Sequence, residues 1–144
     1  MKDLMNKIYK ENGLDKNDIF TDRRKFTIIT RSGIEKIQAK NEIAVTYDVI
    51  KAELDNCIVK ATSLIKDGDE WIPKMETFGS ATKDNCRQPF RMEIAEKRAL
   101  ARVIIKTMHY TNVLGEDEIS YQKTASKDWS NDLDALNKLT NEGK

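Results

Sequence analysis

Residues 78–110 read FGSATKDNCRQPFRMEIAEKRALARVIIKTMHY, and this stretch decides the fold. Its first half combines Gly79 with polar residues and Pro89, a composition that predicts a turn-rich connection. From Phe90 onward strong helix formers follow one another without Gly or Pro, and Pro89 suits the first turn of a helix. We therefore predict one long helix over residues 89–108.

Three cations follow one line along this predicted helix, because Arg98, Arg102 and Lys106 recur at intervals of four residues. Like charges at this spacing repel, and no acid stands four residues away from any of them. A group outside the helix should therefore neutralise these three charges. A solvated or salt-bridged surface is one interpretation, and a bound phosphate backbone is the other.

The composition describes a polar chain of one domain, with 144 residues, 39% hydrophobic residues and a net charge of +1. Residues 83–106 carry seven cations against three acids, whereas residues 112–144 carry seven acids against four lysines. The chain has no apolar run long enough to span a membrane, and its first residues lack the apolar core of a secretory signal. Cys57 and Cys86 form no metal-binding motif, so we expect a protein of the reducing cytoplasm.

An antiparallel sheet is predicted ahead of the long helix. Alternation of apolar and polar residues begins at Ile43 and resumes after a turn at residues 53–56. A second turn at residues 66–70 contains the Asp-Gly pair typical of hairpins. The third strand, residues 71–77, contains Pro73, which indicates an edge or a bulge. The fold class is therefore α+β, with three or more antiparallel strands and the long basic helix packed across them.

Short helices are predicted at both ends and before the sheet. Residues 2–12 form an amphipathic helix that stops at Gly13, and residues 33–40 form one that Ser32 caps. Residues 128–139 have the spacing of a third amphipathic helix. We divide the chain into an N-terminal helix and linker (residues 1–25), a core domain (residues 26–118), and a polar linker with a short helix (residues 119–144).

Catalytic and metal-binding motifs are not found in the sequence. It contains no phosphate-binding glycine loop, and His109 is its only histidine, which we interpret as structural or exposed. The acids Glu116, Asp117 and Glu118 are adjacent, but no histidine or further acid is spaced to join them. We expect a solvated loop there, no catalytic residue, no cofactor and no metal.

Three segments resemble the Rad-type single-strand annealing superfamily, which includes small phage recombination proteins. They are TIITRSGIEKIQ (residues 27–38), METFGSATKDN (residues 75–85) and MEIAEKRALARVIIK (residues 92–106). The resemblance implies ATP-independent binding of single-stranded DNA and annealing of complementary strands on homo-oligomeric rings or filaments. It also implies that DNA lies in a positively charged groove between hairpin and helix.

The family's helix cations correspond to Lys97 and Arg98. Ala101 displaces the next cation of the family's pattern to Arg102, which stays on the same face as Arg98. We expect seven cations to bind nucleic acid, namely Lys97, Arg98, Arg102, Lys106, Arg91, Arg87 and Arg31. Three aromatic residues are interpreted first as core and second as stacking partners for bases: Trp71, Phe78 and Phe90.

Two other functions remain open. The first is a non-enzymatic phage protein that binds a host or replication partner through its terminal helices. The second is a metal-dependent DNA-processing enzyme that uses the acids of residues 116–118. The expected partners are single-stranded DNA, further copies of the chain and a replication or recombination protein. We expect no binding to a membrane.

Overall fold

The computed structural model describes residues 2–118 except residue 24, so the helix predicted over residues 128–139 lies outside the described part. Within the described part the elements are α1 (Lys2–Glu11), β1 (Ile19–Thr21), β2 (Thr27–Ile29), α2 (Arg31–Lys40), β3 (Ala44–Glu53), β4 (Asn56–Asp67), β5 (Glu70–Thr82), α3 (Arg91–Thr107) and β6 (Val113–Gly115). They form one sheet in the order β3-β4-β5 and a smaller one in the order β1-β2-β6. The predicted α+β class is confirmed.

The larger sheet consists of two antiparallel hairpins. The second hairpin closes where predicted, with Gly68 and Asp69 as its two loop residues; Gly68 comes first and has a φ of +67°, which glycine adopts readily. Pro73 lies at a bulge, because the β4–β5 register shifts between Ser63 and Leu64. The prediction of a bulged third strand is confirmed, and the bulge suits a residue that has no N–H to donate.

Strand β5 is longer than the sequence predicted. It continues through Gly79 to Thr82, so the prediction of a turn-rich connection over these residues is wrong. A Cβ atom on Gly79 would lie 2.3 Å from the carbonyl oxygen of Ala95 and 2.4 Å from the amide nitrogen of Ala99. This glycine therefore serves close packing between strand and helix and does not make a turn.

Helix α3 confirms the predicted long helix and lies at the centre of the core. Ala95, Ala99 and Val103 are fully buried, and Ala95 and Ala99 meet β5 at Gly79. Its other flank carries Leu100 and Ile104, which are also buried. The helix is therefore covered around most of its circumference.

Only the middle strand of the smaller sheet was predicted, as a short β-prone run at residues 26–30; the sequence predicted a turn at residues 15–22, where β1 lies, and an exit loop at residues 110–119, where β6 lies. Both strands have three residues, too few to show an alternating pattern. β6 runs parallel to β2 and pairs Gly115 with Ile29. This pairing fixes the chain that leaves α3 against the rest of the domain.

The two N-terminal helices belong to the same core. Ile8 of α1 is fully buried, and Asn12 donates a hydrogen bond to the Tyr110 hydroxyl at 2.9 Å. Helix α2 begins two residues earlier than predicted, and Thr30 caps it in place of Ser32 by accepting from the Gly33 amide. Among the described helices none combines the length and apolar character needed to cross a membrane.

Candidate nucleic-acid interface

Arg98, a central residue of the predicted interface, lies in the interior and is 3% exposed. Its Nη1 donates to the carbonyl oxygen of Ser80 at 2.8 Å and to Oδ1 of Asn85 at 3.1 Å. Its Nη2 donates to the carbonyl oxygen of Asn85 at 3.0 Å. The prediction that Arg98 lies at a groove surface is wrong, because β5 and the turn around Asn85 enclose its guanidinium.

Arg102 also bonds to strand β5, because its Nη1 donates to the carbonyl oxygen of Phe78 at 2.7 Å. Phe78 and Ser80 are two residues apart, so their carbonyls point to the same side of β5. This strand is at an edge of the described sheet, where unpaired backbone groups invite pairing with another chain. Arg98 and Arg102 together satisfy two of those groups.

Arg91 also makes contacts inside the domain. Its Nη1 donates to the carbonyl oxygen of Leu54 at 3.2 Å and lies 3.6 Å from a carboxylate oxygen of Asp55. Its Nε donates to the carbonyl oxygen of Cys86 at 3.3 Å. Arg91 thus joins the β3–β4 turn to the connection before α3. Arg87, in the same connection, is exposed.

The acidic segment, residues 116–118, is not the solvated loop that the sequence predicted, because Asp117 and Glu118 are each 8% exposed. Asp117 accepts from Arg31 through both carboxylate oxygens, with Nε–Oδ2 3.1 Å and Nη2–Oδ1 2.6 Å. Glu116 accepts the backbone N–H of Arg31 at 2.6 Å. The hydrogen bond to Asp117 is the main reason that the pKa of Arg31 is raised.

Glu118 neutralises Arg102 from outside the helix. Nε of Arg102 donates to Oε1 of Glu118 at 2.7 Å, and Nη2 lies 2.5 Å from the same oxygen. The other oxygen, Oε2, is buried and has no hydrogen-bond partner among the described residues. The side chain of Arg102 remains 43% exposed. The absence of an acid at helical spacing from Arg102 therefore indicated an acid elsewhere in the chain, and the nearest acidic run after the helix is residues 116–118.

Arg102 and Lys106 border an open groove of about 260 Å³ between α3, β5 and β6. Aliphatic and small side chains form most of its walls, together with one tyrosine and Glu118: Thr77, Ile105, Tyr110, Val113, Leu114 and Gly115. Lys106 is exposed. The structure thus brings two of the seven predicted cations to one concave surface, which we call the α3 groove.

A second pair of predicted cations lies on the other side of the chain that leaves β6. Arg31 and Lys97 border a shallow recess with Glu116 and Asp117. The two pairs are separated at Gly115, where an added Cβ atom would lie 2.7 Å from Cβ of Ala101. The acidic segment that follows Gly115 therefore contacts one cation of α2, Arg31, and one of α3, Arg102.

The three aromatic residues are not core residues, so their first interpretation is wrong. Trp71 is 46% exposed, Phe78 is 52% exposed and Phe90 is 48% exposed. Thr77 and Gly79 face α3, so alternation along β5 directs Phe78 to the opposite, open face of the sheet. Lys66 Nζ lies 5.8 Å from the centre of the Trp71 ring, a cation–π contact.

No group of three His, Cys, Asp or Glu side chains converges on a metal-sized site within the described residues. His109 is exposed and has a φ of +59° at the end of α3. The chain matches no protein-family model, no curated protein and no solved structure. The resemblance of the three short segments to annealing proteins therefore stays a prediction from the sequence.

Proposed function

We propose that this protein binds single-stranded DNA and anneals complementary strands without ATP. The observation that carries the proposal is the α3 groove, where Arg102 and Lys106 stand one helical turn apart above apolar walls. Point charges on one side of an open groove attract a phosphate backbone irrespective of its sequence. The bases then remain available for pairing, which annealing requires.

The exposed ring of Phe78 supports the same proposal. The carbonyl oxygen of Phe78 holds Arg102 at the β5 edge, and the Phe78 ring lies on the face of the sheet opposite α3, so ring and cation flank the same edge position. A strand bound along the β5 edge would find phosphate contacts at Arg102 and a stacking surface at Phe78. Stacking on an aromatic ring is tolerant of sequence, because every base offers a π face.

The small number of cations indicates how the protein works. Arg102, Lys106 and Lys97 offer up to three phosphate contacts per chain, since Asp117 holds the fourth nearby cation, Arg31. Each contact contributes a slope of about −0.7 in log K against log salt for a single strand. One chain alone would bind weakly at cellular salt, so we propose that several copies of the protein bind along one strand. We also propose that the protein acts in the cytoplasm, with a replication or recombination protein as a further partner.

Two structural observations make the alternatives weaker. The acids of residues 116–118 hold Arg31 and Arg102, so a metal-dependent enzyme would have to release both arginines before binding an ion. Helix α1 packs on its own domain through Ile8, so the partner-binding alternative depends more on the helix predicted over residues 128–139.

A strand-binding and annealing assay tests the proposal. Labelled oligo-dT should bind more tightly than duplex DNA of equal length, with affinity that falls steeply between two salt concentrations. Complementary labelled strands should anneal faster with the protein, without ATP and without magnesium. Magnesium-dependent cleavage would favour the enzyme, and failure to bind any strand at low salt would favour the interaction protein.

A further inference from the structure

We infer that Glu118 is an internal competitor for the phosphate of a bound strand at Arg102. This inference rests on the proposed function and specifies how the α3 groove selects its ligand. Arg102 is the groove cation that already holds an oxyanion, the Glu118 carboxylate, at 2.5–2.7 Å. A phosphate would present the same kind of acceptor to the same donors.

The ion pairs Arg31–Asp117 and Arg102–Glu118 differ in how many carboxylate oxygens are hydrogen-bonded, and this difference shows which pair a phosphate can replace. Asp117 binds Arg31 as a fork, with one nitrogen on each carboxylate oxygen. Glu118 instead receives both nitrogens of Arg102 on Oε1, while Oε2 is buried without a partner among the described residues. Burying a carboxylate oxygen without a donor is unfavourable. The Arg102–Glu118 pair is therefore the weaker of the two.

The guanidinium of Arg102 would keep its orientation during the exchange. Its Nη1 is held by the carbonyl oxygen of Phe78 at 2.7 Å, independently of Glu118. Nε and Nη2 are then left as a parallel pair of donors for two phosphate oxygens, the arrangement in which arginine binds oxyanions best. Phe78 thus preorganises an oxyanion site that Glu118 occupies when no strand is bound.

Competition by Glu118 gives the groove a preference for long polyanions. A single phosphate gains only the Arg102 contact and must displace a carboxylate that the chain holds in place. A strand gains Lys106 and the neighbouring cations at the same time, so its total binding outweighs the displaced contact. We therefore assign the groove to strands of several nucleotides and not to mononucleotides or free phosphate.

The test measures binding of labelled oligo-dT to Glu118→Gln, which keeps the size of the side chain and removes its charge. We expect binding about three- to tenfold tighter than wild type, the range of one partly exposed ion pair. Glu118→Asp keeps the charge and shortens the reach, so it should give a smaller gain. Glu42→Gln removes an exposed charge elsewhere, and its binding should change by less than about twofold.

Two further variants decide whether the effect passes through Arg102. In an Arg102→Ala background, Glu118→Gln should give no gain, since the competitor has lost its site. Asp117→Asn should lower the melting temperature without tightening binding, because it breaks the complete pair. Inorganic phosphate should compete poorly with oligo-dT for wild type and better for Glu118→Gln.

Equal binding by Glu118→Gln and Glu42→Gln would overturn the inference while leaving the proposed function in place. Weaker binding by Glu118→Gln would also overturn it, because Glu118 would then position Arg102 for the strand. A gain that persists in the Arg102→Ala background would do the same. A wild-type protein that binds no strand would overturn the proposed function and the inference with it.

Discussion

Nη1 of Arg98 lies 2.8 Å from the carbonyl oxygen of Ser80, so a cation of the central helix is hydrogen-bonded to the edge strand β5. Its other bonds reach the backbone and side-chain oxygens of Asn85, in the turn that follows β5. This arginine therefore joins helix, strand and turn. Its charge is used to hold the fold, which removes it from the surface available to a ligand.

Replacing Arg98 should destabilise the domain. Arg98→Ala leaves the oxygens of Ser80 and Asn85 without their donor, and we expect a loss of about 2–4 kcal/mol in the free energy of unfolding. Urea unfolding followed by circular dichroism measures it. Arg87→Ala, at an exposed position, is the control and should change stability by less than about 0.5 kcal/mol. Equal stability of the two variants would contradict the buried role of Arg98.

Gly79→Ala should be more damaging than a substitution at a turn glycine. The added methyl group would lie 2.3–2.4 Å from backbone atoms of Ala95 and Ala99, so the helix must move away from β5. We expect a loss of about 3 kcal/mol or more, because backbone cannot yield as a flexible side chain can. Gly68→Ala meets no atom within 4 Å and only strains a φ of +67°, so about 1 kcal/mol is expected. A smaller loss at Gly79 than at Gly68 would refute this packing.

Alkaline pH should weaken the contact between Tyr110 and α1. Burial, with the hydrogen bond to Glu11, raises the pKa of Tyr110 from 10.0 to about 12. Because the folded-state pKa is the higher one, this stabilisation is complete below pH 10 and is lost as pH rises towards 12. Tyr110→Phe should lower the melting temperature at neutral pH. It should also reduce the decrease in melting temperature between neutral pH and about pH 11.

Tyr47 provides the comparison for this titration. Partial burial, with the negative charge of Glu96, raises the pKa of Tyr47 to about 12 as well, although its side chain is 37% exposed. Tyr47→Phe should therefore also reduce the decrease in melting temperature at alkaline pH, and the double variant with Tyr110→Phe should reduce it further. Tyrosinate absorbance followed against pH measures each ionisation directly. An unchanged alkaline profile in the double variant would show that other groups control it.

Phe78→Ala should weaken strand binding without changing its dependence on salt. Loss of one stacked base costs about 1–3 kcal/mol, whereas the number of phosphate contacts stays the same. Folding should be preserved because the ring is 52% exposed. Phe90→Ala, of similar exposure, is the matched control and should bind as wild type does. If both variants bind like wild type, the aromatic contact is absent.

Much of the fold could be predicted because its signals are local. Alternation from Ile43, the Asp-Gly turn at Gly68 and the uninterrupted helix formers after Pro89 each specify an element through neighbouring residues. In the small sheet only β2 could be predicted, from its β-prone residues, since strands of three residues show no alternation. Gly79 was misread because the same residue permits a turn or a close approach, and only the position of α3 decides between them.

The candidate site was less predictable, because it depends on what covers each cation. The helical spacing of Arg98, Arg102 and Lys106 shows that they share a face, but not that the turn around Asn85 encloses the first of them. It likewise predicts that a neutralising group exists without identifying it. Glu118 follows Arg102 by sixteen residues, and only the β2–β6 pairing brings it to that arginine.

The central claim is that Arg102 and Lys106 bind the phosphates of a single strand. The measurement that tests it most directly is the salt dependence of oligo-dT affinity for wild type and for Arg102→Ala with Lys106→Ala. Each phosphate contact contributes about 0.7 to the slope, so we expect the double variant to bind more weakly and with a slope flatter by roughly 1 to 1.4. A folded double variant with unchanged affinity and slope would contradict the claim.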